Sequence, residues 1–455
     1  PAAVLSFDLF LHTTDTTPGN GDNTFTVSVF SSAYQNSSKS ILIRDSDASL
    51  LSFKCDSIVE SAGAGASVLR ITGGVGTSGY LVRSETVGAN PLAAQVRPAS
   101  ATGSLTAVAA ALPVDALNDV PVANRQVRFT YLSGPAGDSR NSTRLLNVVD
   151  DGGIIELGPF INEADTAQAL PDHSDYVELT SPSASSKSLN GYVFVVYGPA
   201  GTVVSRFDLS GSNFRAGNDF FVLWNETASG PGRLNTGSGD WLPASGALAV
   251  YRGAPADYPV GSPATCNNLI DAVVFNAANA ALQDMLAPGS SAVSETGTYC
   301  VLARTPDATL VTQLRNSASF AGTSSHRTPG YPNGDVLSGY NAYADRFPAA
   351  SPAIQGPLND TDGDGLLNLF EYFLGTDPTA FNSLPLPVIA AGTATLTIDR
   401  GFDSLCDPHV ALTAESSLDL LTWTPMAAAG TDPIQFTAPA PGPHFFTRLK
   451  VTVVP

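Results

Sequence analysis

The amino-acid sequence predicts an all-β fold built from tandem immunoglobulin-like β-sandwiches, interrupted by one short helical joint. The first observation is the period-2 alternation of short segments such as Thr24–Phe30, which is typical of strands with one buried face. The second is the length of 455 residues, which exceeds one sandwich and implies about three or four domains of about 100–150 residues each. The third is helical periodicity within the stretch 340–374.

The helical joint contains a loop whose residue spacing alone predicts its chemistry. Residues 360–371 follow the pattern D-x-D-x-D-G-x5-E, in which hard oxygen ligands alternate and Gly365 makes the sharp turn. Such ligands suit Ca²⁺, which accepts about six to eight of them in irregular geometry. The expected ligands are the side chains of Asp360, Asp362, Asp364 and Glu371, the backbone carbonyl of Leu366, and Asn368, directly or through a water. A solvated acidic loop is the alternative, but it does not explain Glu371 at the last loop position.

Two short helices flank this loop. Residues 366–374 are expected to form one, ended by Gly375 as a C-terminal cap, and residues 340–347 the other, because their aromatic residues share one face. The segment 360–378 resembles the dockerin and thrombospondin-type-3 calcium repeats of secreted bacterial proteins. It occurs once here, whereas dockerins carry a pair. We therefore expect an EF-hand-like calcium joint between domains at residues 335–383 rather than a docking module.

Composition places limits on partners and compartment. Asp and Glu total 41 against 22 Lys and Arg, a formal net charge of −19. This excess argues against nucleic acid and anionic membrane surfaces as partners and favours cations. No apolar run approaches the ~20 residues that cross a bilayer, so membrane insertion is not expected. The sequence begins at Pro1 without Met or a signal peptide, and we expect a mature or partial chain of a secreted or cell-surface protein.

The four cysteines lack the C-x-x-C spacing of a zinc site. In an exported protein they are expected to be oxidised. Cys266 and Cys300 fall in one predicted domain and are expected to pair. Cys55 and Cys406 lie in domains far apart in sequence, and three outcomes stay open: pairing across a fold-back, free thiols, or links between neighbouring subunits.

Residues 1–49 and 50–152 share a sequence pattern. Residues 51–53 read L-S-F, Glu60 lies in a following turn, and a later apolar strand ends at Asp150-Asp151. This pattern resembles the Calx-β domain and implies a β-sandwich at residues 50–152. Residues 1–49 contain the partial strands of a preceding unit of the same kind, which makes them a candidate donor segment for assembly. The resemblance also implies a second calcium site, with the ligands Glu60, Asp150, Asp151, Asp45 and Asp47.

Residues 74–79 match the dinucleotide-binding pattern G-x-G-x-x-G. Predicted strands surround them and no predicted helix follows, so the segment offers no helix N-terminus to hold a pyrophosphate. We therefore interpret this segment as a glycine-rich hairpin turn.

Residues 153–334 carry an ordered set of motifs: I-N-E at 161–163, D-Y-V-E-L at 175–179, L-I-D-A-V-V-F at 269–275 and T-P-G-Y-P-N at 328–333. The set resembles bacterial lamin-tail domains, which implies an immunoglobulin-like sandwich. Four acidic residues cluster on two successive predicted strands: Glu163, Asp165, Asp175 and Glu178. They are a candidate cation site, but carboxylates that serve as solvated charges or hydrogen-bond anchors are the preferred interpretation.

Residues 384–455 are expected to form the last β-domain, because segments such as 394–398 and 410–414 alternate. The stretch 415–424 and the final F-T-R-L at 446–449 resemble the C-terminal β-domain of secreted proteins of verrucomicrobia-like bacteria. Trp423 is expected to be a core anchor rather than a platform on which sugars stack.

The sequence lacks a G-x-S-x-G elbow, a P-loop and an H-E-x-x-H motif, so an enzyme is not expected. The favoured function is an extracellular structural or adhesive protein. It would be a subunit of a calcium-stabilised surface filament or matrix, a homopolymer formed by β-strand exchange. The alternatives are a carbohydrate- or cell-binding module with a glycan or cell-surface partner, and the non-catalytic portion of a larger secreted enzyme.

Overall fold

A computed structural model describes the chain as two compact units. One unit is formed by residues 1–60, 64–118 and 122–150, and the other mainly by residues 151–455. The described residues are 23–29, 37–43, 50–60, 66–72, 79–87, 96–97, 100–104, 109–116, 124–133, 142–150, 159–166, 175–181, 188–215, 219–225, 232–237, 240–276, 279–294, 301–304, 307–308, 314–325, 327–347, 356–440 and 444–454.

The N-terminal strands form a sheet of their own. β1 (Asn23–Val29) and β2 (Ser37–Ile43) pair antiparallel over their whole length, from Asn23 opposite Ile43 to Val29 opposite Ser37. Within the described part of the chain, neither strand pairs with a third. The alternation in the sequence predicts both strands, whereas the strand that it predicts at residues 3–12 lies outside the described residues.

The next nine strands form two facing sheets. One has the order β3-β5-β9-β7 and the other β4-β11-β10-β6-β8. Phe53 and Phe129 meet edge to face between them, with ring centroids 5.1 Å apart. The strands are β3 (Leu50–Phe53), β4 (Ser57–Val59), β5 (Ser67–Thr72), β6 (Gly79–Val87), β7 (Val96–Arg97), β8 (Ser100–Ser104), β9 (Ala109–Ala116), β10 (Arg125–Ser133) and β11 (Ser142–Val149).

The interpretation of the glycine-rich segment as a hairpin turn was wrong. The segment connects β5 to β6, and these strands lie in different sheets: β5 pairs with β3 and β9, whereas β6 pairs with β8 and β10. A local glycine signal predicts that the chain turns, but the sheet that receives the next strand is decided by distant partners.

Residues 160–325 form a second pair of sheets, with the orders β17-β16-β13-β12-β20-β21 and β15-β14-β18-β19. Several strands are buried along their whole length, so they appear in the sequence as continuous apolar runs such as Tyr192–Tyr197 rather than as alternating segments. The strands are β12 (Phe160–Asp165), β13 (Tyr176–Thr180), β14 (Tyr192–Tyr197), β15 (Val203–Asp208), β16 (Phe220–Trp224), β17 (Arg233–Asn235), β18 (Gly246–Arg252), β19 (Leu269–Phe275), β20 (Val301–Ala303) and β21 (Ala321–Ser325).

The three α-helices within the described residues are short. α1 (Ala280–Leu286) is capped by the Asn279 side chain, which accepts a hydrogen bond of 3.1 Å from the backbone N–H of Leu282. α2 (Ser338–Ala344) and α3 (Asn368–Leu374) lie in the helical joint, and α3 ends at Gly375 in the left-handed conformation, as the sequence predicts. None of the helices in the described ranges combines the length and hydropathy needed to span a membrane.

The last sandwich shares one hydrophobic core with the helical joint. Its sheets have the orders β22-β23-β27-β26 and β25-β24-β28. The strands are β22 (Val388–Ala390), β23 (Thr393–Ile398), β24 (Val410–Ser417), β25 (Thr424–Pro425), β26 (Ala427–Ala429), β27 (Ile434–Pro439) and β28 (Phe446–Val453). The core consists of Tyr340 and Tyr343 from α2, Leu369, Tyr372 and Phe373 from α3, and Leu396, Ile398, Val410, Ala414, Met426, Phe436 and Ala438 from the sandwich.

Trp423 does not anchor this core, so that prediction was wrong. Its side chain is half-buried, and the guanidinium of Arg448 lies 4.3 Å from the centre of its ring. The buried residue on this part of the chain is Met426. A large ring with a polar N–H is stable at a partly exposed position where a cation covers one face, whereas the flexible Met426 side chain fills the core.

Candidate metal centre

Three aspartates of the loop 360–371 converge in space. Carboxylate oxygens of Asp360, Asp362 and Asp364 all lie within 4.8 Å of one another, and among the described residues this is the one such group of three potential ligands. The chain reverses sharply at Gly363 and Gly365, whose φ angles are +81° and +94°. These left-handed values favour glycine and bring alternate side chains to one point.

Backbone N–H groups hold the aspartates in place. Asp360 accepts hydrogen bonds from the N–H of Gly363 (2.7 Å) and of Gly365 (2.9 Å). Asp362 accepts from the N–H of Asp364 (3.0 Å), and Asp364 accepts from that of Leu366 (2.7 Å). The loop is therefore shaped before an ion binds, which lowers the entropy cost of gathering like charges around a cation.

Glu371, in α3, is not one of the three converging carboxylates, but it lies close enough for the charges of the three aspartates to act on it. The residue is fully buried, and its burial, followed by repulsion from Asp362, raises its pKa to about 8. Oε2 of Glu371 and Oδ2 of Asp362 are buried, and no described residue donates a hydrogen bond to either. Two buried carboxylate oxygens without donors are costly unless a cation contacts them. The residues present thus fit an oxygen-ligated dication, and Ca²⁺ is the ion that suits this spacing.

Asn368 takes a role other than the one its loop position predicts. Its amide oxygen accepts from both the backbone N–H (3.2 Å) and the hydroxyl (3.0 Å) of Thr361, and its amide nitrogen donates to the carbonyl of Gly356 (3.0 Å). Both lone pairs of the amide oxygen are then occupied. In this geometry Asn368 ties the start of the loop to the start of α3, and the expected ligand role stays a prediction.

Asn382 is a residue of this centre that sequence reasoning missed. Its backbone N–H donates to Asp364 (2.7 Å), and its side-chain amide donates to Oε1 of Glu371 (3.1 Å). It lies beyond the end of the loop motif, and no spacing rule includes it. Such contacts orient the first ligands of a metal and tune its affinity.

The far end of α3 is fixed by an unusually close backbone contact. A Cβ atom on Gly401 would lie 2.2 Å from the backbone nitrogen of Gly375, so only glycine fits there. The N–H of Gly401 donates to the carbonyl of Phe373 (2.7 Å), and the Tyr372 hydroxyl donates to the Asp407 carboxylate (2.8 Å). A helix that begins in the acidic loop therefore ends inside the core of the sandwich.

Ion pairs connect the preceding domain, the helical joint and the last β-domain of the same unit. Asp345, at the end of α2, accepts from Arg215 (2.9 Å) and Arg233 (3.3 Å). Asp403 lies between Arg327 (3.3 Å) and Arg346 (2.5 Å). Asp345 and Asp403 each bind two guanidinium groups. Such shared pairs restrict movement between the connected segments more than isolated surface ion pairs do.

The second predicted calcium set is only partly described. Glu60 is buried, and its carboxylate forms an ion pair with Arg125. Asp150 follows β11, which pairs in parallel with β4, so it lies at the same sheet end as Glu60. Asp45, Asp47 and Asp151 lie outside the described residues. A guanidinium is thus the cation at Glu60 in this structure, and calcium at this set stays a prediction.

Glu163, Asp165, Asp175 and Glu178 are all buried, which agrees with the hydrogen-bond anchors of the preferred interpretation and excludes its solvated charges. Asp175 accepts from the backbone N–H groups of Trp241 (2.8 Å) and Leu242 (2.9 Å), and Asp165 pairs with Arg327 (3.1 Å). Glu163 and Glu178 bind the segment 327–333 instead, which we call the strap. Local sequence shows which residues are acidic, but a distant segment supplies the donors that allow their burial.

The described cysteines are all oxidised. Cys55, Cys266 and Cys406 each form a disulfide, which excludes the alternative of free thiols at Cys55 and Cys406. Cys300 lies outside the described residues, so its predicted bond with Cys266 stays a prediction.

A concave surface opens at one end of the last sandwich. Its volume is about 570 Å³, within the size range of small-ligand sites. The loop 418–423 contributes to its lining. In this loop Leu420 has a φ of +63°, and Asp419 accepts from the N–H groups of Leu421 and Thr422, both at 2.8 Å. The lining residues are Ser416, Ser417, Leu418, Asp419, Thr422, Thr424, Pro425, Ala427, Thr437, Ala438, Pro439 and Phe445.

Comparison with known proteins gives only distant likenesses. No protein-family model and no curated protein matches the chain. The chain is similar to CBD12 from CALX1.2, with 13% identity over 44% of this chain and 78% of that one and a TM-score of 0.18. It is also similar to the calcium binding domain CBD12 of CALX1.1 (13% identity, 46% and 82% covered, TM-score 0.20). A third likeness is to a DUF4876 family protein from Bacteroides thetaiotaomicron (10% identity, 56% and 86% covered, TM-score 0.22).

These scores are too low to support an argument about function. The all-β class is established by the sheets themselves. The resemblances to lamin-tail domains, dockerin repeats and the bacterial C-terminal domain stay predictions.

Proposed function

We propose that this chain is an extracellular structural or adhesive protein whose C-terminal unit is made rigid by Ca²⁺. The observation that carries the proposal is the path of α3. Glu371, on this helix, faces the acidic loop, and its neighbour Tyr372 lies in the hydrophobic core. An ion held by Asp360, Asp362, Asp364, Glu371 and the carbonyl of Leu366 therefore stabilises the same helix that the sandwich core requires.

The proposed role of the ion is mechanical rather than catalytic. The loop is linked through α3 to the last sandwich. Asp345 of the helical joint and Asp403 of the last β-domain form ion pairs with arginines of the preceding domain. Ca²⁺ neutralises the converging carboxylates, which otherwise repel one another and favour opening of the loop. Loss of the ion then loosens the joint between the two domains.

The N-terminal strands support self-association as the second part of the proposal. A two-stranded sheet is marginally stable in water by itself, and its outer edges carry unpaired backbone groups. β1 and β2 pair only with each other in the described part of the chain. Addition of these strands to a sheet edge of another copy is a head-to-tail contact, which builds filaments when it does not close.

Electron microscopy and sizing of the full chain test both parts. We expect ordered assemblies in Ca²⁺ that loosen in EDTA. A Thr26→Pro variant places proline in the middle of β1, where it weakens pairing, and is expected to stay monomeric with normal calcium binding, whereas the same exchange at exposed Thr413 leaves β1 intact. A monodisperse wild-type chain under every condition would refute self-association. Unchanged thermal stability between Ca²⁺ and EDTA would refute the calcium role.

A glycan-binding module is the second candidate, and the 570 Å³ concave surface favours it. Hydroxyl groups, one carboxylate and an apolar floor with Phe445 suit the alternating polar and apolar faces of a sugar. Titration with neutral oligosaccharides, followed by the fluorescence of Trp423 and by calorimetry, tests it. Oligosaccharide binding that is lost in Thr437→Val but retained in Thr413→Val supports this candidate. Absence of binding to every glycan on an array excludes it.

A further inference from the structure

The strap 327–333 lies across two buried glutamates that face each other on neighbouring strands. Glu163 of β12 is directly opposite Glu178 of β13, and both are fully buried. Among the described Lys and Arg residues, none forms an ion pair with either glutamate. Two ionised carboxylates side by side in such an environment are strongly unfavourable. The arrangement therefore requires at least one bound proton.

The hydrogen bonds of Thr328 indicate which glutamate carries that proton. The Thr328 hydroxyl lies 2.5 Å from Oε2 of Glu163 and 2.6 Å from Oδ1 of Asn333. The orientation of the Asn333 amide is fixed, because its nitrogen donates to the backbone carbonyl of Arg304 at 2.9 Å. The Thr328 hydroxyl has one hydrogen and must donate it to Asn333. The short contact to Glu163 then needs a hydrogen from the glutamate.

Glu178 has the opposite pattern. One of its oxygens accepts from the side-chain amide of Asn162 (2.8 Å), and the other accepts from the backbone N–H of Gly330 (2.6 Å). Both of its oxygens act as acceptors, which suits an ionised carboxylate. The remaining oxygen of Glu163 accepts from the N–H of Thr328 (2.9 Å) and from the Tyr176 hydroxyl.

We propose that Glu163 and Glu178 hold one proton, carried by Glu163, and that this proton makes the strap a pH-sensitive latch. With the proton in place, Glu163 donates to Thr328, Thr328 donates to Asn333, and Gly330 donates to Glu178. Loss of the proton breaks the first link and leaves two adjacent buried charges under the strap. The strap leads directly to α2, so its release loosens the start of the calcium-binding region.

The surrounding charges act on both glutamates. From β13, Tyr176 and Glu178 face Glu163, and from the strap Arg327 approaches it. Burial raises the pKa of Glu163 to about 7, although the hydrogen bonds from Thr328 and Tyr176 and the charge of Arg327 oppose the shift. Burial and then repulsion from Glu163 raise the pKa of Glu178 well above its ordinary value, and Asp307 adds to this. Both glutamates therefore favour a proton, and the hydrogen bonds of Thr328 assign it to Glu163.

The remaining nearby charges are committed to other partners. Arg327 also pairs with Asp165 and Asp403, and Arg304, next to β20, pairs with Asp271. Neither guanidinium is therefore available to replace the proton on Glu163.

The sign of the pH effect follows from the raised pKa. In the unfolded chain Glu163 titrates near its ordinary value of 4.5, whereas in the folded chain it holds its proton to about pH 7. The stabilisation from the neutral form is complete below the unfolded pKa and is lost as the pH rises through about 7. The latch is thus closed in acid and released in alkali.

The test compares two isosteric variants of the full chain. In Glu163→Gln, the amide NH₂ can donate to Thr328 as the acid does, so we expect wild-type melting at pH 5.5 and a higher melting temperature than wild type at pH 8.5. In Glu178→Gln, an NH₂ group replaces an oxygen that accepts from Asn162 or Gly330, so we expect a lower melting temperature at both pH values.

Hydrogen exchange measures the release of the strap, and infrared spectroscopy measures the protonation of Glu163. After correction for intrinsic rates, the Thr328 and Gly330 amides should lose protection by tenfold or more between pH 5.5 and 8.5 in wild type but not in Glu163→Gln. In saturating Ca²⁺, where the proposed site holds Glu371 as a carboxylate, the infrared difference between wild type and Glu163→Gln at pH 5.5 should contain the carbonyl band of one protonated buried carboxyl. The reverse pattern, in which Glu178→Gln is tolerated and Glu163→Gln is destabilising, would overturn the assignment of the proton to Glu163. Protection of the Thr328 and Gly330 amides that does not vary with pH in wild type would overturn the proposed pH-dependent release of the strap.

Discussion

Exchange of Glu371 for Gln should reverse the order of stability between calcium-free and calcium-bound protein. Without an ion, the Glu371 carboxylate is buried beside three aspartates, and one of its oxygens has no donor among the described residues. Gln keeps an oxygen that accepts from Asn382 and removes the repulsion. In EDTA at pH 8 the variant should therefore unfold at the same temperature as wild type or higher.

The calcium-bound state should show the opposite order. At free Ca²⁺ about 100-fold above the dissociation constant, mass action stabilises wild type by about 2.7 kcal/mol. Changes to residues that contact a metal ligand lower metal affinity by up to ~100-fold, so loss of a ligand itself should lower the Ca²⁺ affinity by at least ~100-fold. The gain of the variant then falls to about 0.4 kcal/mol at the same calcium concentration. With about 2–4 °C per kcal/mol for a unit of this size, wild type gains about 5–11 °C and the variant less than about 2 °C.

Differential scanning fluorimetry measures the melting temperatures of both proteins with and without Ca²⁺, and calorimetric titration measures their calcium affinities. Glu415→Gln is the matched control, because Glu415 forms an ion pair with exposed Arg448 on the last sandwich. Its calcium response should equal that of wild type. Equal calcium-induced shifts in wild type and Glu371→Gln would refute the assignment of Glu371 as a ligand.

Three further predictions concern packing, buried charge and the disulfides. Gly401→Ala forces its Cβ against the backbone of Gly375 and should lower the free energy of unfolding in chemical denaturation by about 1–3 kcal/mol or more. The control Gly392→Ala has no atom within 4 Å of its Cβ and should lower it by about 1–2 kcal/mol, because of its positive φ alone. Asp271→Asn leaves the fully buried Arg304 guanidinium without its carboxylate and should cost about 3–5 kcal/mol, whereas the surface change Glu415→Gln should cost about 1 kcal/mol or less. Alkylation of the denatured, non-reduced chain should leave Cys55, Cys266 and Cys406 unlabelled, and labelling of any of them before reduction would contradict the structure.

Local sequence predicts the features of this chain that depend on neighbouring residues. The apolar motif at 269–275 forms one strand, β19, with the same bounds, and Gly375 ends α3 as a left-handed cap. The aspartates of the acidic loop converge because their spacing and the intervening glycines fix the backbone. In each case the determining residues lie within a few positions of one another.

Features that depend on distant residues were missed or misread. Asn382 reaches Asp364 and Glu371 from beyond the motif, and the strap reaches Glu163 from 165 residues away. The glycine-rich segment was misread because the sheet that receives β6 is chosen by β8 and β10. Periodicity gives the burial of a face, but hydrogen-bond partners across the fold decide whether an acid can lie inside.

The core that α2 and α3 share with the last sandwich limits how this region can be inherited. A gene rearrangement that transferred residues 384–455 alone would carry a sandwich with Leu396, Ile398 and Phe436 but without the aromatic residues that cover them. A recipient protein would gain an exposed apolar surface and no calcium loop. Recombination can therefore spread this sandwich intact only together with the chain from Ser338 onward, so the metal-binding loop and the sandwich evolve as one module.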